Sequence, residues 1–220
     1  MRALVVGASG GIGAALVARL EGDGAEVTAL SRSGDGLDVT DEGAVAAVLG
    51  RLSGVYDLVV VATGALSIGG EPPEKTLKSL EAGRLAAQFA LNAVGPALVL
   101  KHALRLLPRD RRAVFAVLSA RVGSIGDNRA GGWYGYRTAK AALNQLVRTA
   151  SVEVARSHPW AVVVALHPGT VATPLTERYL GRHPSVSPEV SADNLLRVIS
   201  HLTHEDTGRF LDWAGKEIPW

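Results

Sequence analysis

ALVVGASGGIGAALVARLEG, residues 3–22, runs in immediate succession through an apolar tetrapeptide too short for a helix, a glycine-rich turn and an apolar-periodic helix. Strand, glycine turn and helix in that order open a dinucleotide-binding α/β unit. Gly7 permits a tight exit from the strand, Gly11 lets the backbone approach a pyrophosphate, and Gly13 lets the helix pack closely on the sheet. The helix N-terminus brings free N–H groups and partial positive charge to the same point. The spacing is GxxxGxG rather than GxGxxG, and such turns also occur with no ligand, so the neighbouring segments carry the decision.

Residues 26–31, EVTALS, read as a second strand with Arg32 just beyond its end. An acid at that place accepts from the ribose 2′-hydroxyl of NAD, whereas Arg32 between Ser31 and Ser33 suits the 2′-phosphate of NADP. Only residues 34–36 separate this loop from Leu37, Asp38 and Val39, which leaves no room for a full crossover helix before a third strand. Thr40 or Asp41 can cap the helix that follows, and residues 57–62, DLVVVA, are an apolar strand of a sheet covered on both faces. Residues 74–107 read as a short and then a long helix, with Asn92 one turn before a punctuating Pro96. Strands at 113–119 and 160–166, a helix at 191–202 and a last short strand at 209–213 complete the alternation. Residues 170–188, with four prolines and glycines and no sustained period, read as a lid-like segment, taken here as 170–190. The pattern predicts one α/β domain over residues 1–220: a Rossmann-type doubly wound parallel sheet of about seven strands with a shortened second crossover.

Between the strands at 113–119 and 160–166, GWYGYRTAKAALNQL (residues 132–146) places Tyr136 and Lys140 one helical turn apart. A cation beside a phenol favours the ionised phenol, so Tyr136 is expected to have a lowered pKa and to trade protons near neutrality. A YxxxK taken alone is more often a surface pair. The chain has no cysteine, which excludes a disulfide framework, thiol catalysis and a Cys-ligated zinc site; no metal is expected. No basic region followed by an apolar run opens the sequence and no stretch is long enough to span a membrane, so a cytoplasmic protein is the expectation. The formal charge is +2, with basic residues dispersed apart from Arg109, Arg111 and Arg112, which argues against a nucleic-acid partner.

Taken together, GASGGIG, Asp38, Asn92, Ser119 at a strand end, Tyr136 with Lys140, and PGTVAT at residues 168–173 resemble the short-chain dehydrogenase/reductase family over essentially the whole chain. The segments SARVGSIGDN and GGWYGYRTAKAALN further resemble its C-factor-like and carbonyl reductase branch. The resemblance implies an NADP(H)-dependent oxidoreductase of small carbonyl substrates, in which Tyr136 gives the proton and Lys140 lowers its pKa and binds the nicotinamide ribose. Asn92 would hold a relay water, and Gly7, Ser9, Gly11, Ile12 and Gly13 would line the pyrophosphate. Asp38 and Val39 would meet the adenine, and Ala62, Gly64, Pro168, Gly169, Val171 and Thr173 would border the rest of the cofactor, the last two at the carboxamide. Trp133, Tyr134 and residues 175–179 would line an apolar substrate pocket. A homodimer or homotetramer is implied, as is a second possibility, an NADP-binding signalling or scaffold protein with little turnover.

Three positions depart from the family pattern. The usual second serine of a Ser-Ser pair is Ala120 here, leaving Ser119 as the first candidate for the catalytic hydroxyl and Ser124 as the alternative. Ala62, Thr63 and Gly64 stand where Asn-Ala-Gly is usual, with Thr63 expected to bond locally. The truncated second crossover opens the adenine side around Arg32.

Overall fold

A computed structural model describes residues 1–177 and 184–220. Its six-stranded parallel sheet has the order β2-β1-β3-β4-β5-β6, formed by β1 (Arg2–Val6), β2 (Glu26–Leu30), β3 (Leu58–Val61), β4 (Ala113–Leu118), β5 (Ala161–His167) and β6 (Phe210–Asp212). Side chains alternate across each strand. Leu4, Val6, Val59, Phe115, Val117 and Val163 therefore face one core with α3 (Glu42–Gly50), α5 (Gly95–Ala103) and α6 (Tyr134–Ser157). Ala3, Val5, Val60, Ala116 and Val164 face the other with α1 (Gly11–Gly22) and α7 (Pro188–His201). Helices on both faces explain why the central strands are apolar at every position.

Between β2 and α3 lies only the four-residue helix α2 (Arg32–Asp35), capped by Ser31 and ended by Gly36 in the left-handed region at φ 71. Residues 37–39 join no ladder among the described residues, so β2 is an edge strand and the sheet has six members beside the expected seven or so. Leu37 and Val39 still bury their side chains in the core, which preserves their alternation without a strand. Asp41 is the cap of α3, accepting from Gly43 and Ala44, while Thr40 turns back onto Asp38.

The helical stretch expected at 74–107 begins with one short turn at Leu77–Ser79 and then runs as α4 (Ala82–Phe89), a widened turn at Ala90–Val94 and α5. Pro96 has no N–H to give the carbonyl of Asn92, and the preceding Gly95 N–H reaches back to Ala90 instead. The proline widens the helix at Asn92 without breaking it. The segment read as a lid falls partly outside the described residues, as do Arg178 and Tyr179 of the expected pocket. Its two described ends pair, with Ala172 N–H donating to Val186 O at 2.8 Å and Val186 N–H to Thr170 O at 3.0 Å. Ser187 caps α7 three residues earlier than the sequence pattern indicates.

The tightest point is the opening turn. A Cβ on Gly13 would lie 2.1 Å from the Gly7 carbonyl oxygen, and Gly7 itself sits at φ +90. Gly13→Ala is expected to cost about 3 kcal/mol or more, because backbone atoms stand in the way. Gly83→Ala, in an exposed helical turn with nothing within 4 Å of the added carbon, is expected to gain up to about 1 kcal/mol. Urea denaturation of the two variants beside wild type checks both signs.

Candidate active site

Gly135, Ala139, Lys140, Leu143, Asn144, Val147, Ser151 and Val154 form the buried stripe of α6, spaced three and four residues apart. That stripe lays the helix on the face of β4 and β5 and takes Lys140 into the interior, where it is 3% exposed. The Lys140 amine donates to the Leu118 carbonyl at 2.8 Å and lies 5.8 Å from the centre of the Tyr136 ring. Trp133 packs edge-on against the same ring, 6.5 Å between centres at 70°.

Part of the Tyr136 side chain stays accessible, but packing around its phenol pushes the pKa up to about 12, and burial brings Lys140 down to about 7. The expected lowering of the phenol is not found. Desolvation penalises tyrosinate and ammonium alike, and here it exceeds the attraction between them.

Asn92 is fully buried on the widened turn. Its Oδ1 accepts from Ala65 N–H at 3.1 Å, and its Nδ2 donates to Ala65 O at 3.0 Å and to Gln88 Oε1 at 2.6 Å. A Cβ on Gly64 would stand 2.9 Å from Asn92 Oδ1 and 3.5 Å from the Lys140 amine, so these three residues meet. Gln88, one turn before Asn92, holds the orientation of its amide. The sequence reading missed it, although an i, i+4 Gln-Asn pair on a helix was visible.

Ser119 has a different partner from the one expected. It continues the alternation of Phe115 and Val117 toward α6, and its hydroxyl donates to Asn144 Oδ1 at 2.6 Å. Asn144 lies eight residues beyond Tyr136, about 12 Å along the helix axis, so Ser119 is turned away from the phenol. Ser124, the alternative, has its hydroxyl donating to the Pro219 carbonyl and accepting from Asp127 N–H. Thr63 does not bond locally: its hydroxyl is buried with no partner among the described residues. Asn144 Nδ2 and His167 Nδ1 are in the same condition, and burial takes the His167 imidazole down to about 4.

The glycine turn opens toward this group. A Cβ on Gly7 would lie 2.9 Å from the Ala62 backbone, and one on Gly11 would lie 2.8 Å from Thr173 Cγ2. Gly7, Gly11, Ala62 and Thr173 thus converge at the carboxyl ends of β1, β3 and β5, where open α/β sheets take ligands. Gly169 makes its turn at φ +81 before Val171. Helix α1 has no side-chain cap on Gly10 and no acid in its first turn, which leaves its leading amides at Gly11, Ile12 and Gly13, beside the exposed Ser9, open to an anion. The cradle fits a dinucleotide. On its adenine side, Arg32 is exposed at the start of α2, and Ser31 Oγ accepts from Gly34 N–H at 3.0 Å. The Asp38 carboxylate accepts from both the hydroxyl and the N–H of Thr40, which hold its pKa below the ordinary value with help from Arg32.

The chain resembles known proteins in sequence and in fold. Residues 36–209 match the family described as enoyl-(acyl carrier protein) reductase. The chain is 33% identical to the 1-hydroxy-2-glutathionyl-2-methyl-3-butene dehydrogenase of Rhodococcus sp. (strain AD45), over 99% of this chain and 98% of that one. It is 38% identical to the C-signal protein of Myxococcus xanthus over 62% of this chain and 78% of that protein. Among solved structures, a short-chain dehydrogenase/reductase of Burkholderia multivorans with bound NADP superposes at a TM-score of 0.82 with 25% identity, covering 100% and 99% of the two chains. An NADPH-bound carbonyl reductase from chicken fatty liver shares the fold at 0.84 with 23% identity, covering 100% and 94%. The chain belongs to the short-chain dehydrogenase/reductase family. It is an oxidoreductase of that type, and no described helix is long and apolar enough to cross a membrane.

The buried amine gives stability a pH dependence of known sign. Between about 7 and the ordinary value of 10.5, Lys140 is protonated in the unfolded chain but not in the folded one, so stability rises with pH across that window. The raised Tyr136 value acts only above pH 10, where it makes stability fall. Denaturation midpoints measured from pH 6.5 to 9.5 should climb in wild type and climb distinctly less in Lys140→Met.

Proposed function

We propose that the protein transfers a hydride between NADP(H) and a carbonyl or alcohol carbon, with Tyr136 as the proton donor and acceptor. The observation that carries the reading is the meeting of Tyr136, Lys140, Asn92 and Gly64 beside the Gly7–Gly11–Thr173 cradle. The nicotinamide, when bound, supplies or receives the hydride. Everything else falls to the protein. A phenol raised to about 12 is protonated at neutral pH, which is the form that carbonyl reduction consumes. Lys140, near 7, carries a proton that it can share, and Asn92 stands next to it with its amide locked by Gln88. Gly7, Ser9, Gly11, Ile12 and Gly13 would hold the pyrophosphate, with Asp38, Val39, Ala62, Gly64, Pro168, Gly169, Val171 and Thr173 along the cofactor.

Arg32 and Ser33, with no acid at the end of β2, support NADP over NAD; the Ser31 hydroxyl already caps α2. The NADP and NADPH bound by the two solved relatives point the same way. With Ser119 engaged by Asn144 and alanine at 120, the phenol acts on the carbonyl oxygen without a serine, and Ser119 serves to anchor α6. An apolar groove lined by Pro96, Leu100, Leu104, Leu146, Val147 and Ala150 supports pairing of α5 and α6 between two copies, which sedimentation equilibrium tests; a strictly monomeric species would reject it.

A second reading, an NADP-binding signalling protein with little turnover, is favoured by the similarity to C-signal together with Ala120. NADPH oxidation with aldehydes, ketones and quinones, and NADP reduction with alcohols including a glutathione conjugate, separates the two. Tyr136→Phe is expected to lose at least about 100-fold in kcat. Ala120→Ser is expected to gain about 10-fold by adding a donor to the developing oxyanion, and Ser119→Ala to lower the denaturation midpoint while losing far less kcat than Tyr136→Phe. NADPH binding without turnover on any substrate would give the second reading precedence.

A further inference from the structure

We propose that Glu74 is a positioning residue for Tyr136, a role that rests on the catalytic reading above. Glu74 belongs to the irregular loop before α4, yet it is 4% exposed. Its backbone carbonyl accepts from Trp133 N–H at 2.5 Å, and its Oε2 accepts from Gly135 N–H at 3.0 Å. The two contacts hold the start of α6, about 60 residues away in the chain, and Tyr136 is the next residue on that helix after Gly135.

The helix needs such a partner. Trp133, its cap residue, sits in the left-handed region at φ 52 and gives no side-chain cap, although the leading N–H groups of a helix require acceptors. A carboxylate at that end also meets the favourable pole of the helix dipole. The fit depends on Gly135: a Cβ there would lie 3.0 Å from Glu74 Oε1 and 3.1 Å from Gln88 Cγ. The same grip sets the phenol from a second side, because the Trp133 held by the Glu74 carbonyl packs edge-on against the Tyr136 ring. Gln88 then continues the contact to Asn92. Glu74 thereby joins the loop before α4 to the two helices that carry Tyr136, Lys140 and Asn92.

Displacement of a reacting group by about 1 Å is enough to cost on the order of 100-fold in rate. The test compares Glu74→Ala and Glu74→Gln with wild type in the full-length protein, measuring kcat and KM on the best substrate of the panel, NADPH affinity by fluorescence, thermal midpoint, and hydrogen exchange of residues 133–140. The expected result is a 10- to 100-fold loss of kcat in Glu74→Ala with NADPH affinity within about two-fold, faster exchange at 133–140, and recovery of both in Glu74→Gln, which keeps an acceptor oxygen. A kcat within two-fold of wild type in Glu74→Ala overturns the proposal. So does a kcat loss that Glu74→Gln does not recover, or one that merely follows the thermal midpoint. If wild type turns over no substrate, the catalytic reading fails and the exchange measurement decides alone: acceleration in Glu74→Ala reversed in Glu74→Gln supports the grip, and unchanged exchange overturns it.

Discussion

A buried amine donating to the carbonyl at the end of a strand ties the site to the sheet. Lys140 enters the interior because it lies on the packed stripe of α6, and once there it must find an acceptor or leave. The Leu118 carbonyl supplies one at 2.8 Å. That bond holds Lys140 at the carboxyl end of β4, with Tyr136 one turn nearer the helix start. Ser119, the next residue along the strand, adds a second tie one turn lower through Asn144. The two ties hold the helix in rotation and in translation.

Burial then sets the chemistry of the pair. A phenol and an amine in water would help each other ionise, whereas the same pair under packed side chains is pushed toward the neutral forms, Tyr136 up to about 12 and Lys140 down to about 7. The buried polar atoms around the carboxyl ends of the strands, at Thr63, Asn144 and His167, mark a region that the described protein groups alone do not satisfy.

The glycines distribute these close approaches. Gly13 brings α1 against the Gly7 turn, Gly64 leaves room for Asn92 and the Lys140 amine, and Gly135 admits the Glu74 carboxylate. Each occupies a place where two distant segments touch backbone to side chain or backbone to backbone, so the glycine positions outline the site almost as clearly as its functional groups do.

The amino-acid sequence by itself determined the alternation of strands and helices, the two-faced burial of the central strands, and the residues at the strand ends, because periodicity and glycine spacing are local signals. The YxxxK pair, the cradle at Gly7 and the helix position of Asn92 were legible for the same reason. Only the tertiary structure decided the partners: Ser119 with Asn144, Ser124 with Pro219, Gln88 with Asn92, and Glu74 with the start of α6. It also decided that residues 37–39 pack without pairing and that the phenol rises instead of falling. These outcomes depend on which groups meet across long separations and on how much water they lose in meeting, and neither quantity is written in any local stretch of the chain.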